Sequence, residues 1–123
     1  MEGSLTVITI LPADEAFLQS VSAPVGADAM VLRDSDGSVF GYALFRMCGD
    51  RVEVLSVHTE LPMMAEGLVR AVLNTGDCRG AVTGFCADDN LAPMLTRLEF
   101  KAVEGGYAVS LEQFFRGDCH CQQ

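Results

Sequence analysis

The chain has 123 residues, of which half are apolar and a fifth are charged. This is the composition of one globular domain that can bury a core without disulfides or a structural metal. Eight basic and seventeen acidic residues give a net charge of −9, which repels phosphate backbones and argues against nucleic acid as a partner. No apolar run approaches the roughly 20 residues that span a bilayer, so no membrane partner is expected.

The N-terminus and the cysteines predict a cytoplasmic protein. MEGSLTVITILP carries an acidic residue, Glu2, where a signal peptide is basic, and no small-residue cleavage site follows. Five cysteines without a secretory signal indicate reduced thiols in a cytosol. Cys48, Cys78 and Cys86 lie in apolar or turn segments, so we expect them to be structural.

The chain shows no repeat or linker, which predicts a single domain over residues 1–118 and a Cys-His-Cys tail over 119–123. The soft ligands Cys119-His120-Cys121 could bind zinc or copper ions. Three adjacent residues rarely close a tetrahedron alone, and termini are commonly mobile with exposed thiols. No metal site is therefore predicted.

The first elements are a strand, a short helix and a second strand. Leu5–Leu11 is apolar and β-branched, which predicts a strand. Asp14 and Glu15 favour the start of a brief helix, which ends before Pro24. Ala29–Arg33 is the second predicted strand.

A hairpin follows, with the turn Asp34-Ser35-Asp36-Gly37 and a third strand over Ser38–Met47. Apolar residues on both faces of this strand predict a central position in the sheet. A calcium loop is excluded, because its sixth and twelfth positions hold Val39 and Phe45 in place of glycine and glutamate.

In the predicted fourth strand, Arg51–His58, the alternation of apolar and polar residues shifts by one position. Val52 and Val54 alternate with Glu53, but the alternation slips at Leu55. A slip of one residue in a period of two is what a β-bulge produces. A strand buried on both faces explains the pattern equally well.

The sequence predicts a helix that begins near Pro62 and ends near Gly76. Its apolar stripe consists of Met64, Ala65, Leu68, Val69, Val72 and Leu73. Ala81–Cys86 is a further predicted strand.

The last part of the chain predicts a helix and a hairpin. Asp88-Asp89-Asn90 offers caps to a helix that runs to Leu98, and two strands meet at a Gly105-Gly106 turn. The predicted order is β α β β β α β α β β. It predicts an α/β (α+β) fold with a mixed, largely antiparallel twisted sheet flanked by helices.

Four segments carry a resemblance to a known family. They are DGSVFGYALFRMCGDRVEVLSVHTELP, AEGLVRAVLN, DDNLAPMLTRLEF and EGGYAVSLEQFF. Their order resembles the GNAT fold of acetyl-CoA-dependent N-acyltransferases over roughly residues 28–115. Gly41-Tyr42-Ala43, Val57 and Leu98-Glu99-Phe100 fall where that family has a glycine-containing central strand, a strand end and a Leu-Gly-Phe-like stop.

The resemblance implies acetyl-CoA as co-substrate. A bulge that splays two parallel strands exposes backbone for an extended pantetheine arm, and the next helix N-terminus offers amides to the pyrophosphate. The resemblance places the arm at 57–59 and the phosphates at 63–67. The implied cofactor-binding residues are Val57, Thr59, Met64, Ala65, Gly67 and Asn90.

The sequence departs from the family at three places. The loop Pro62-Met63-Met64-Ala65-Glu66-Gly67 has one glycine, no basic residue and an added negative charge at Glu66. Leu95 stands where many members place a proton-donating tyrosine, and Glu99 replaces the glycine of the stop.

Two residues are candidate catalytic bases, because amine acylation requires a group that accepts a proton. Glu53 points out of the fourth strand near where several family members carry a carboxylate. His58 ends that strand, and histidine titrates closest to neutral pH. A solvated strand carboxylate and a surface histidine are the alternatives.

Three functions remain open. The first is an acyl-CoA-dependent N-acetyltransferase acting on an unknown amine, either a small molecule or a peptide. The second is a non-catalytic GNAT-like domain that binds a ligand or a protein, and the third is a thiol or metal sensor built on the tail. Phe114 and Phe115 could support a homodimer or pack on their own core.

Overall fold

A single twisted sheet of seven strands organises the protein, whose computed structural model describes residues 8–115. The strand order across the sheet is β1-β2-β3-β4-β5-β7-β6. Only β4 and β5 pair in parallel among the described strands, and the other neighbours are antiparallel. The strands are β1 (Thr9–Pro12), β2 (Asp28–Arg33), β3 (Val39–Cys48), β4 (Arg51–Thr59), β5 (Thr83–Cys86), β6 (Lys101–Val103) and β7 (Gly106–Ser110).

Helices cover both faces of the sheet. They are α1 (Glu15–Ser20), α2 (Ala65–Cys78), α3 (Ala92–Arg97) and α4 (Leu111–Phe114). Short 3-10 helices, Pro62–Met64 and Asp89–Leu91, lead directly into α2 and α3. The predicted order and fold class are confirmed, while α4 was not predicted because a single turn has too few residues for a periodic pattern.

The third strand is central, as its two apolar faces predicted. Ala43 and Phe45 pack into the main core beneath α2, and Leu44 packs into a smaller cluster beneath α1. Phe114 and Phe115 also pack against the main core, so the core alternative for these two rings is confirmed.

The bulge in β4 is confirmed. Phe45 of β3 lies opposite Val54, whereas Leu44 lies opposite Ser56, so Leu55 is the extra residue. The extra residue shifts the alternation of side chains by one position. The side chain of Val57 therefore lies on the face covered by α2, as that of Val54 does.

Two turns were predicted, one of them in a shifted position. Asp34 accepts hydrogen bonds at Oδ1 from the amides of Asp36 and Ser38, which confirms the turn after β2. The last hairpin turns at residues 104–105, not at the predicted Gly105-Gly106. Gly106 belongs to β7, where a Cβ would lie 2.5 Å from the Cys86 carbonyl oxygen.

The cysteines differ from expectation. Cys86 is fully buried, but Cys48 and Cys78 are exposed. Cys78 is disulfide-bonded, so the expectation of a reduced thiol there was wrong. Sequence placed Cys78 near the end of a helix but could not show which side of the helix it occupies. The tail at 119–123 and the start of the predicted first strand lie outside the described residues.

No helix within residues 8–115 is long and apolar enough to cross a membrane. The same part of the chain contains no group of three or more His, Cys, Asp or Glu side chains that could hold a metal ion.

Candidate functional site

The parallel strands β4 and β5 diverge and leave a notch. Their pairing begins at Arg51 and Thr83 and stops at Val54 and Cys86. Beyond that point β4 continues to Thr59 beside β3 alone, while the chain after β5 turns into a 3-10 helix. One side of β4 from residue 55 to 59 therefore has no neighbouring strand in the described structure.

Backbone groups of β4 face this notch. The amide of Glu60 donates to the carbonyl oxygen of Phe40 at 2.9 Å, so the backbone groups of Glu60 point toward β3. Successive residues of a strand point their backbone groups to opposite sides. The backbone N–H and C=O groups of His58 therefore also point toward β3. Those of Val57 and Thr59 point the other way, into the notch.

A glycine sets how closely β3 approaches this end of β4. A Cβ at Gly41 would lie 2.7 Å from the His58 carbonyl oxygen and 2.7 Å from the Thr59 Cβ. The Thr59 hydroxyl also accepts from the Leu61 amide at 2.9 Å. These contacts hold the open edge of β4 in place.

The start of α2 contributes fewer amides than the sequence suggested. An α-helix leaves its first four amides without an intrahelical acceptor. Here the Met64 amide donates to the Leu61 carbonyl at 2.7 Å, and the Ala65 amide donates to the carbonyl of Pro62. Glu66 and Gly67 carry the other two amides of this first turn.

A groove of about 260 Å³ separates the start of α2 from α3. It brings together two predicted cofactor-binding residues, Ala65 and Asn90. Met64 is half-buried and packs against the main core, and Gly67 faces β1, where its Cβ would lie 3.6 Å from Ile10 Cδ1.

Arg97 supplies the positive charge that the loop sequence lacks. Its Nε lies 2.8 Å from Glu66 Oε2 in the same groove. Sequence reasoning missed this residue because it lies 31 positions from Glu66. An arginine in the last turn of a helix is by itself explained by the helix dipole.

Glu53 lies between two arginines on the opposite face of the sheet. It bonds to the Arg51 guanidinium and lies 3.3 Å from Arg46 Nε. Partial burial raises its pKa, but hydrogen bonds with Arg51, Cys48 and Arg46 outweigh it and lower the pKa below the ordinary carboxyl value. Glu53 is thus ionised at neutral pH but accepts a proton weakly.

His58 is exposed at the far end of β4, and its ring centroid lies 4.8 Å from that of Tyr42. His58 and Glu53 are not brought together. Their partners Tyr42 and Arg46 are four residues apart on β3, which separates the two side chains by roughly 13 Å.

The structure explains two departures from the family pattern, at Leu95 of α3 and at Glu99 just after it. Leu95 is fully buried in the core. Glu99 has a φ of 70°, the left-handed conformation that usually requires glycine. The amides of Glu99 and Phe100 donate to the carbonyls of Thr96 and Leu95, which forms a Schellman motif.

Tyr107 is a phenol that the sequence did not indicate. It lies opposite Cys86, the last paired residue of β5, and its hydroxyl is 3.3 Å from Asp89 Oδ1. Burial and the Asp89 carboxylate raise its pKa, so the hydroxyl stays protonated at neutral pH.

This arrangement is the fold of the GNAT acyltransferases: a largely antiparallel sheet, a single parallel pair, a bulge and a splay followed by a helix. Among solved structures, an acetyltransferase of the GNAT family from Staphylococcus aureus Mu50 matches with a TM-score of 0.64 and 6% identity. That match covers 85% of this chain and 99% of the other. The chimera of the Vibrio cholerae spermidine N-acetyltransferase and hSSAT matches with a TM-score of 0.62, 8% identity and coverages of 89% and 98%.

The IAA acetyltransferase from Bacillus cereus ATCC 14579 has a TM-score of 0.60 and 14% identity, covering 80% of this chain and 79% of its own. No protein-family model matches the sequence, and no curated protein matches it significantly. Identities this low show the fold alone, which confirms the GNAT-like architecture.

Proposed function

We propose that this protein is an acyl-CoA-dependent N-acetyltransferase, which transfers an acetyl group from acetyl-CoA to a small-molecule or peptide amine. The observation that carries the proposal is the open edge of β4. Val57 and Thr59 present backbone donors and acceptors where β5 has diverged, which suits an extended pantetheine arm that pairs as an added strand.

The co-substrate has a continuous path in this proposal. The arm pairs with Val57 and Thr59, and the groove between Ala65 and Asn90 receives its outer part. The amides of Glu66 and Gly67 face the pyrophosphate at the positive end of α2. Arg97 offsets the charge of Glu66 there.

In the proposed reaction the amine nitrogen attacks the thioester carbonyl. A C–N bond forms, the C–S bond breaks, a base accepts the ammonium proton, and the departing thiolate gains a proton. We assign the role of base to His58, because the carboxylate of Glu53 is engaged in ion pairs with Arg46 and Arg51. Positioning the amine against a reactive thioester supplies much of the rate by itself.

Calorimetry with acetyl-CoA tests the binding step. Val57→Pro removes one amide that faces the notch without removing a bond to β3, whereas Val57→Ala keeps the amide and shortens the side chain. We expect Val57→Pro to weaken acetyl-CoA binding about fivefold to tenfold relative to Val57→Ala, the size of one hydrogen bond.

The melting temperature of each variant, measured without ligand, shows whether proline has disturbed the fold. Absence of heat and of thermal stabilisation for the unsubstituted protein at millimolar acetyl-CoA would contradict the proposal without reference to any variant.

The alternative is a GNAT-like domain that binds a ligand or a protein without turnover. The buried Leu95 and the arginine-bound Glu53 favour it, because neither can serve as an efficient acid or base. An added peptide strand would use the same open edge of β4. Acetyl-CoA binding without release of free CoA across a panel of amines and peptides would select this function.

A further inference from the structure

A second cavity, of about 230 Å³, lies beyond the Glu66–Arg97 ion pair. It is enclosed by α2, α3, β6, β7 and α4, with Leu98, Val109 and Phe114 among its apolar walls. At roughly 30 Å³ per water molecule it has room for about seven waters, which is ample for one phosphate group.

Three basic side chains from three elements converge on this cavity: Arg70, Arg97 and Lys101. The whole chain has only eight basic residues against seventeen acidic ones, and Lys101 is its only lysine. Glu99 is the one carboxylate in the lining. The cavity is therefore locally cationic on a strongly anionic protein, and such a site attracts anions.

Arg97 is paired with Glu66, but Arg70 and Lys101 differ from the other described basic residues. Arg46 and Arg51 bond to Glu53, Arg79 lies 3.0 Å from Asp28, and Arg33 donates to the Gly37 carbonyl. Within residues 8–115 neither Arg70 nor Lys101 has a carboxylate partner.

The geometry also leaves donors available. The Arg70 guanidinium carbon lies 5.3 Å from the centroid of the Phe114 ring, a cation–π contact that uses no N–H donor. Arg97 uses Nε for Glu66, and its terminal nitrogens have no other hydrogen-bond partner among the described residues. A planar guanidinium that is held at one edge is suited to binding phosphate at another.

We propose that this cavity is a phosphate-binding site in which Arg70, Arg97 and Lys101 contact the oxygens of one phosphate group. The cavity adjoins the groove assigned to the co-substrate, and Arg97 lines both, but phosphate binding in the cavity does not require acetyl transfer. A small free phosphate compound and a phosphate of CoA itself share this chemistry, and the test distinguishes them.

The test is a titration of the protein with inorganic phosphate, followed by the NMR shifts of backbone amides at constant ionic strength. We expect saturable, millimolar shifts that are largest over residues 97–101 and at Gln113. Arg70→Gln/Lys101→Gln should weaken binding at least tenfold, and Glu99→Gln should strengthen it a few-fold.

The matched control is Arg33→Gln/Arg79→Gln, which removes the same charge at two sites away from the cavity. Non-saturable or scattered shifts, or an equal loss of affinity in this control, would overturn the proposal, because they indicate charge attraction without a site.

Titration with CoA and with dephospho-CoA then identifies the source of the phosphate. If only CoA shifts the cavity amides, the phosphate belongs to the co-substrate's ribose. If neither compound shifts them while inorganic phosphate does, the site takes a separate ligand. A protein that binds phosphate here but not acetyl-CoA would retain this site and lose only the proposed transferase function.

Discussion

The two halves of β4 belong to one strand but have different surroundings. Arg51–Val54 is paired on both sides, and its one carboxylate, Glu53, is held by two arginines. Residues 55–59 pair with β3 alone and present backbone groups to the notch. One extra residue, Leu55, separates the halves. A segment paired on both sides and an open strand edge can therefore be built from nine consecutive residues.

The largest expected effect is at the contact that holds the open half. Gly41→Ala places a Cβ 2.7 Å from β4 backbone, and we expect it to lower the free energy of unfolding by about 2–4 kcal/mol. Gly67→Ala is the matched control, because its Cβ meets nothing closer than 3.6 Å. In a helix that change should stabilise by about 0.5–1 kcal/mol.

Urea denaturation of both variants measures these values. Equal stabilities for the two alanine variants would show that β3 does not fix the open half of β4.

We expect the stability contributed by the closed half, Arg51–Val54, to depend on pH. Glu53→Gln removes the anion between Arg46 and Arg51, and we expect a loss of about 1–3 kcal/mol at pH 7. Since the folded-state pKa of Glu53 is lowered, its stabilisation is present above the unfolded carboxyl pKa of about 4.3 and disappears as pH falls through the folded pKa.

Denaturation midpoints at several pH values follow this loss. The exposed Glu60→Gln, next to the open half, serves as control and should change stability by less than about 0.5 kcal/mol at every pH. A difference between Glu53→Gln and the unsubstituted protein that persists unchanged at pH 2–3 would contradict the role of the charge.

Hydrogen exchange compares the two halves directly. The amides of Val57 and Thr59 should exchange faster than those of Val52 and Val54, because they face the notch. Saturating acetyl-CoA should slow the amide exchange of Val57 and Thr59 at least tenfold, which corresponds to about 1.4 kcal/mol of opening free energy. It should leave the exchange rates of the closed half unchanged. Uniform protection along β4 would indicate general stabilisation without an added strand.

The smallest effect concerns the C-terminal end of α3. Glu99→Gly relieves a left-handed φ of 70° at the end of α3 and should stabilise by about 0.5–1 kcal/mol. Ser22→Gly, at the φ of 55° after α1, should give a similar gain far from the notch. Thermal unfolding measures the stability of both variants. If Glu99→Gly lowers the stability, the glutamate side chain contributes more stability than its left-handed backbone costs.

Much of the fold could be predicted from local pattern. The phase slip at Leu55 indicated the bulge, and the apolar stripe from Met64 to Leu73 indicated α2. The turn at Asp34 followed from its side-chain chemistry. Patterns of this kind work because strand and helix periods determine which side chains meet the core. The Gly105-Gly106 turn was displaced by one residue, since either glycine satisfies a turn and only the Cys86 carbonyl requires glycine at 106.

The sequence by itself determined the order of elements, the central place of β3 and the break in β4, because each depends on neighbours a few residues apart. Only the tertiary structure decided that Arg97 reaches Glu66, that Arg46 reaches Glu53 and that Arg70 and Lys101 share a cavity. Those contacts join separate elements through long side chains, and no periodicity records which charges meet when the chain closes on itself.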